Sequence, residues 1–199
     1  MSIINFVCDI ISSPWLWLVA PLLLGWVWIP KTAADDVLCS HINELQTKKV
    51  DTDHSIFANY KARAWLDGVQ EDIANNTWTK VGLNAETYDP GGHFDHATNY
   101  RFTAPVAGFY LICYEIRFGS VVADKKYDCR VYKNNADAVS NQAQHSSNTD
   151  NLGVSGADVV ELAAADFIEL WGRHTAGVGT IDFASGETTT YMTVHLLSI

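Results

Sequence analysis

Three regimes of hydrophobic patterning succeed one another along the chain. From Ile10 to Ile29 the sequence IISSPWLWLVAPLLLGWVWI carries no charged side chain. Twenty such residues, at about 1.5 Å rise each in a helix, match the roughly 30 Å hydrocarbon core of a bilayer, so a single transmembrane helix is expected here. Trp15 and Trp17 near one end and Trp26 and Trp28 near the other are its expected anchors, because amphipathic indoles settle at the headgroup boundaries. Pro14 and Pro21 predict a kink, since a spanning helix can satisfy freed carbonyls through side chains, water or local rewinding. The competing reading is a secretory signal cleaved near Thr32-Ala33-Ala34. The absence of Lys or Arg before the apolar run, its length and its tryptophans favour a retained anchor.

The second regime is polar. Between Thr32 and Tyr60 only Leu38, Ile42 and Leu45 fall at helical spacing, ahead of Lys48-Lys49 and Asp51-Thr52-Asp53. A short helix and linker are expected, since a coiled coil needs several sustained heptads.

From Lys61 to Ile199 the pattern becomes period-two alternation broken by Gly, Pro, Asn and Asp, the habit of an antiparallel all-β sandwich. In Gly108–Phe118 the residues Tyr110, Ile112, Tyr114, Ile116 and Phe118 line one face; Phe109, Leu111 and Cys113 give way to Glu115 and Arg117 on the other, so both faces are expected to be partly buried. Further strands are expected at Thr77–Leu83, Asn99–Thr103, Tyr127–Lys133, Asn151–Gly156, Asp158–Leu162, Phe167–Gly172 and Tyr191–Leu197. Turn residues separate them at Asp89-Pro90-Gly91-Gly92, Ala104–Gly108, Asn134-Asn135 and Ala164-Ala165-Asp166. The organisation read from the pattern is therefore an anchor over 1–31, a stalk over 32–60 and a sandwich domain over 61–199.

Charge and chemistry narrow the function. A net charge of -10 with pI near 4.9 argues against nucleic-acid binding, which needs clustered Lys and Arg. Cys8, Cys39, Cys113 and Cys129 show no C-x-x-C spacing, which disfavours zinc and thioredoxin-type chemistry and leaves any Cys113–Cys129 pairing open. No nucleophile elbow, H-E-x-x-H or phosphate loop is present, so no catalytic residue, cofactor or metal ligand is assigned and a non-enzymatic protein is expected. His93-Phe94-Asp95-His96 has metal-like residue types, but a polar loop in which Asp95 caps a turn accounts for it better.

Ala85-Glu86-Thr87-Tyr88-Asp89, Phe94-Asp95 and Tyr100-Arg101-Phe102-Thr103-Ala104-Pro105-Val106-Ala107-Gly108-Phe109-Tyr110 resemble the core signature of the complement subcomponent one-q globular head, which shares the jelly roll of the tumour-necrosis-factor ligands. The resemblance continues through Tyr132-Lys133-Asn134 and Leu162–Trp171 to Tyr191–Leu197, covering roughly Lys61–Ile199. Thr193-Val194-His195 departs from the small residue and Phe common in relatives. The wording, notably Asn76–Val81 and His145–Thr149, is most similar to versions from bacteria and their viruses. The resemblance implies a TNF-like jelly roll of about ten strands, assembled as a homotrimer that acts through surfaces rather than chemistry.

With the anchor, this describes a compact trimeric spike on a cell or virion membrane, with a structural and receptor- or glycan-binding role and its head on the external or periplasmic side. Lys31 taken alone would point the head to the cytoplasm, but one charge is a thin basis for orientation. The alternative is a non-catalytic accessory subunit that caps or stabilises a bacterial membrane complex, its span packed against neighbouring subunits. Ligand contact is expected in loops on the rigid sandwich: at His93, Asp95 and His96; at His145, Asn148 and Asp150; and at Arg173 and His174 in a loop running to Gly179.

Overall fold

The computed structural model describes residues 59–177 and 181–199; the expected span with its four anchor tryptophans and nearly all of the expected stalk lie outside them. The described residues form twelve strands: β1 Lys61–Trp65, β2 Thr79–Lys80, β3 Ala85–Tyr88, β4 Phe94–Asp95, β5 Arg101–Thr103, β6 Gly108–Gly119, β7 Lys126–Lys133, β8 Asp137–His145, β9 Leu152–Leu162, β10 Phe167–His174, β11 Asp182–Phe183 and β12 Tyr191–Ser198. Every pairing between these strands is antiparallel. In the first sheet β6 is flanked by β9 along one edge and by β12 and then β11 along the other, and the order continues through β1 to β3. The second runs β4-β5-β10-β7-β8, with β2 beside β5 on the same edge of β10. The chain crosses repeatedly between the sheets, as a jelly roll requires.

Alternation builds the core. Tyr110, Ile112, Tyr114, Ile116 and Phe118 of β6 turn inward with Met192 and Val194 of β12, against Tyr127, Cys129 and Val131 of β7 and Ile168 and Leu170 of β10. The buried tyrosines have partners: Tyr110 Oη donates to the Val106 carbonyl at 2.8 Å, and Tyr114 Oη lies 2.7 Å from Ser140 Oγ. Among the described residues the two cysteines are free thiols facing opposite ways, Cys113 outward from the first sheet and Cys129 into the core. Burial, and secondarily the neighbouring Asp128, pushes the Cys129 thiol up to about 12, which keeps it protonated and unreactive.

Several expectations need correction. The strands expected at Asn151–Gly156 and Asp158–Leu162 are one continuous strand, β9, paired with β6 along its length. Gly156, where the first of the two expected strands ends, is small because the Tyr114 ring occupies the space of its side chain: a Cβ there would lie 2.6 Å from Tyr114 Oη. Strand β8 escapes a pattern-based reading because it is polar on both faces, with Ser140 its one buried residue. The strand expected over Thr77–Leu83 contracts to β2. Arg173 and His174, expected in a loop, end strand β10.

Candidate functional site

The eight residues expected to contact a ligand fall into two groups at opposite ends of the second sheet. His93, Asp95 and His96 surround β4, which joins through β5 to the start of β10. Asp95 acts as a turn cap: its Oδ1 accepts from the backbone of Ala97 at 3.2 Å and Thr98 at 2.9 Å, and its Oδ2 accepts from Asn99 Nδ2 at 2.6 Å. These bonds, the Thr98 amide first, hold its carboxyl below the usual range. His96 Nδ1 meets Glu86 Oε1 at 2.6 Å, and the His93 ring packs between Tyr60 and Phe102 at centroid distances of 5.5 and 6.2 Å. Among the described residues no three His, Cys, Asp or Glu side chains converge on a point that would hold a metal ion.

The other group gathers where β7 begins and β8 and β10 end, with His145 opposite Lys126 in the ladder. Asn148 and Asp150 bond to each other within their turn, Asn148 Nδ2 donating to Asp150 Oδ2 and the Asp150 amide to Asn148 Oδ1, each at 3.2 Å. His174 is buried and structural. Its Nδ1 accepts from the Ala176 amide at 3.2 Å, so its Nε2 carries the proton and donates to the Ile73 carbonyl at 2.7 Å. Arg173 points outward, bonded through Nε and Nη2 to Asp128 Oδ2 at 3.1 and 2.9 Å.

Sequence reasoning passed over the two outer sheet faces, where the more unusual chemistry lies. On the first sheet the register aligns Val159, Leu111, His195 and Lys61 in one row across four strands, and Ala157, Cys113, Thr193, Arg63 and Tyr88 in the next. Phe109 extends this face past the first row, and Leu197 is exposed beside it on β12. Phe109, Val159 and Leu197 are 46 to 50 % exposed, an unusual grouping on one face of a small domain. The signal was present in the sequence: Gly108–Phe118 carries apolar residues on both faces of its N-terminal half.

Near the middle of this face Tyr88 Oη and His195 Nε2 approach to 2.8 Å with their rings edge to face. Burial, then the Lys61 ammonium, depresses the His195 pKa below its ordinary 6.5, so the neutral ring is the folded form. A depressed imidazole pKa means that the unfolded chain takes up a proton before the folded one does. Its stabilising contribution is complete above pH 6.5 and is lost as the pH falls toward the folded-state pKa. Thermal unfolding at pH 7.5 and 5.5 is expected to show a drop at the lower pH that His195→Asn makes smaller; an undiminished drop would place the acid-sensitive group elsewhere.

No protein-family model and no curated protein sequence matches the chain. Solved structures do. A tumour-necrosis-factor protein, Eiger, from S. frugiperda is 14% identical with a TM-score of 0.53, over 69% of this chain and 91% of that one. Murine APRIL is 12% identical with a TM-score of 0.51, over 69% of this chain and 98% of its own. The globular domain of zebrafish complement 1qA is 18% identical with a TM-score of 0.49, over 70% of this chain and 97% of its own. At these identities the likeness to Eiger and APRIL establishes the fold alone: the described domain is a TNF-like jelly roll.

Proposed function

We propose that the protein is a membrane-anchored homotrimer whose jelly-roll head serves a structural and recognition role on a cell or virion surface, without catalysis. The observation that carries this reading is the outer face of the first sheet. Phe109, Val159 and Leu197 stand about half exposed beside Leu111 and the Tyr88–His195 pair, an apolar and aromatic surface rimmed by Lys61, Arg63, Glu115 and Arg117. An apolar centre with a polar rim is the composition of a protein interface. A second copy is the occupant the jelly roll favours, given the resemblance of the sequence to trimeric heads and the likeness of the fold to TNF ligands. Three heads joined through this face would carry the second sheet and the loops outward, leaving them free to meet a partner.

The test is the mass of the full-length protein extracted in mild detergent. A particle containing three chains is the expected result. A monomer would remove the trimer, and stoichiometric recovery with other integral-membrane proteins would make the chain an accessory subunit of their complex.

A further inference from the structure

The outer face of the second sheet carries a lattice of aromatic rings and cations that the core does not need. Register places Asn141, Arg130, Trp171 and Lys80 in one row across β8, β7, β10 and β2, with Ala143, Asp128 and Arg173 in the next. The Arg130 guanidinium lies 4.2 Å from the Trp78 ring centre and 5.4 Å from that of Tyr132, and Arg173 lies 4.7 Å from Trp78. Tyr132 stands edge to face with both Trp78 and Trp171, at 6.2 and 5.5 Å. The rings are half-buried, so they present part of their surface to solvent.

The charges on this surface are not equivalent. Arg173 and Lys126 share Asp128, and Lys80 is held by Glu169 at 2.5 Å, both carboxylates being almost fully buried. Arg130 ion-pairs with no carboxylate among the described residues; Nη1 donates to Tyr132 Oη at 3.0 Å and Nε to Asn141 Oδ1 at 3.3 Å. Arg130 is therefore an orientated, uncompensated cation, framed by aromatic rings, on a chain of net charge -10. Tyr132 and Asn141 take two of the five guanidinium N–H donors, and stacking on a ring leaves the others free in the plane to meet a carboxylate. Aromatic faces and edges suit the flat C–H surfaces of a sugar.

We infer that this face binds a carboxylated saccharide, its acid group on Arg130 and its ring against the Trp78, Tyr132 and Trp171 cluster. Charge complementarity selects the acidic group, and the partly exposed sheet face suits an extended polymer. The inference rests on reading the domain as a recognition head, and it deepens that reading by naming the surface and the ligand chemistry.

The probe is polygalacturonate, with neutral dextran and poly-glutamate as comparators, presented to the full-length protein in detergent. Expected are salt-sensitive binding to polygalacturonate, none to dextran, and a loss of at least about tenfold for Arg130→Gln, the scale of a charge-assisted hydrogen bond. Arg130 also braces Trp78, so Asn141→Glu supplies a second test: position 141 is exposed and already accepts from Arg130 Nε, and a carboxylate there should pair with the guanidinium and exclude the ligand's acid group while Arg130 stays on Trp78. Absence of binding to polygalacturonate, or undiminished binding by Asn141→Glu, overturns the inference. Equal or tighter binding of poly-glutamate overturns the saccharide assignment in favour of an acidic protein. The mass measurement in detergent reports the trimer separately, so failure of the ligand and failure of the assembly are distinguishable.

Discussion

Val159→Glu is expected to convert the proposed trimer into single chains while leaving the melting of the head nearly unchanged. In the isolated domain Val159 is half exposed, on the outward face of β9 next to Leu111, so a glutamate there meets water and costs the fold little. In the proposed trimer the same position is covered. A carboxylate buried against an apolar surface without a hydrogen-bonded cation is costly, about 3 kcal/mol or more, which weakens association at least about a hundredfold. Ala138→Glu on exposed β8 of the second sheet is the matched control and should leave the particle intact. Light scattering in detergent distinguishes the two. A Val159→Glu protein that keeps three chains would move the interface off the first sheet, and the exposed cluster of Phe109, Val159 and Leu197 would then need a different occupant.

The architecture was legible where the chain obeys one simple rule and obscure where two rules compete. Strand β6 announces itself because its inward face is wholly apolar over five alternate positions, and β10 and β12 follow the same logic. Strand β8 is invisible to any search for hydrophobic alternation, since a mostly exposed edge strand whose one buried residue is a serine has no apolar face to show. Asp95 was legible as a turn cap because an Asp two to four residues ahead of free loop amides has a ready local use, and the geometry bears that reading out.

The outer faces were harder to read for a different reason. Trp78, Tyr132 and Trp171 look like core residues in one dimension, and the register that turns them outward beside Arg130 depends on pairings of strands distant in sequence. The same holds for His195 and Tyr88, 107 residues apart yet in hydrogen-bond contact. His174 shows the converse error. Next to glycines and an arginine it reads as a mobile loop residue, whereas its ring is buried and bonded on both nitrogens.

Gly172→Ala is expected to destabilise the head by about 2 kcal/mol, within the usual range for overpacking a close-packed core. Propensity alone predicts the reverse sign, because alanine replacing glycine in a strand reduces the entropy lost on folding. The site overrides propensity because Gly172 of β10 faces side chains of the other sheet at close range. A Cβ there would lie 2.5 Å from Phe183 Cζ, 2.6 Å from Phe183 Cε1 and 3.1 Å from Ile116 Cδ1. The tip of a side chain can often swing away, but the Phe183 ring is fully buried and stands edge to face with Phe118 at 5.5 Å, which in turn packs on Tyr127 at 5.1 Å. Relief must therefore come from separating the sheets or from shrinking the ring. Phe183→Leu alone should cost about 1 kcal/mol through lost contact and residual space. Combined with Gly172→Ala it should cost clearly less than the two singles added, since the methyl fills the volume the ring vacates. Chemical denaturation of the four variants measures that coupling. Strict additivity would mean that Phe183 yields without disturbing its neighbours, and the tight contact between the sheets would then not be what requires glycine at this position.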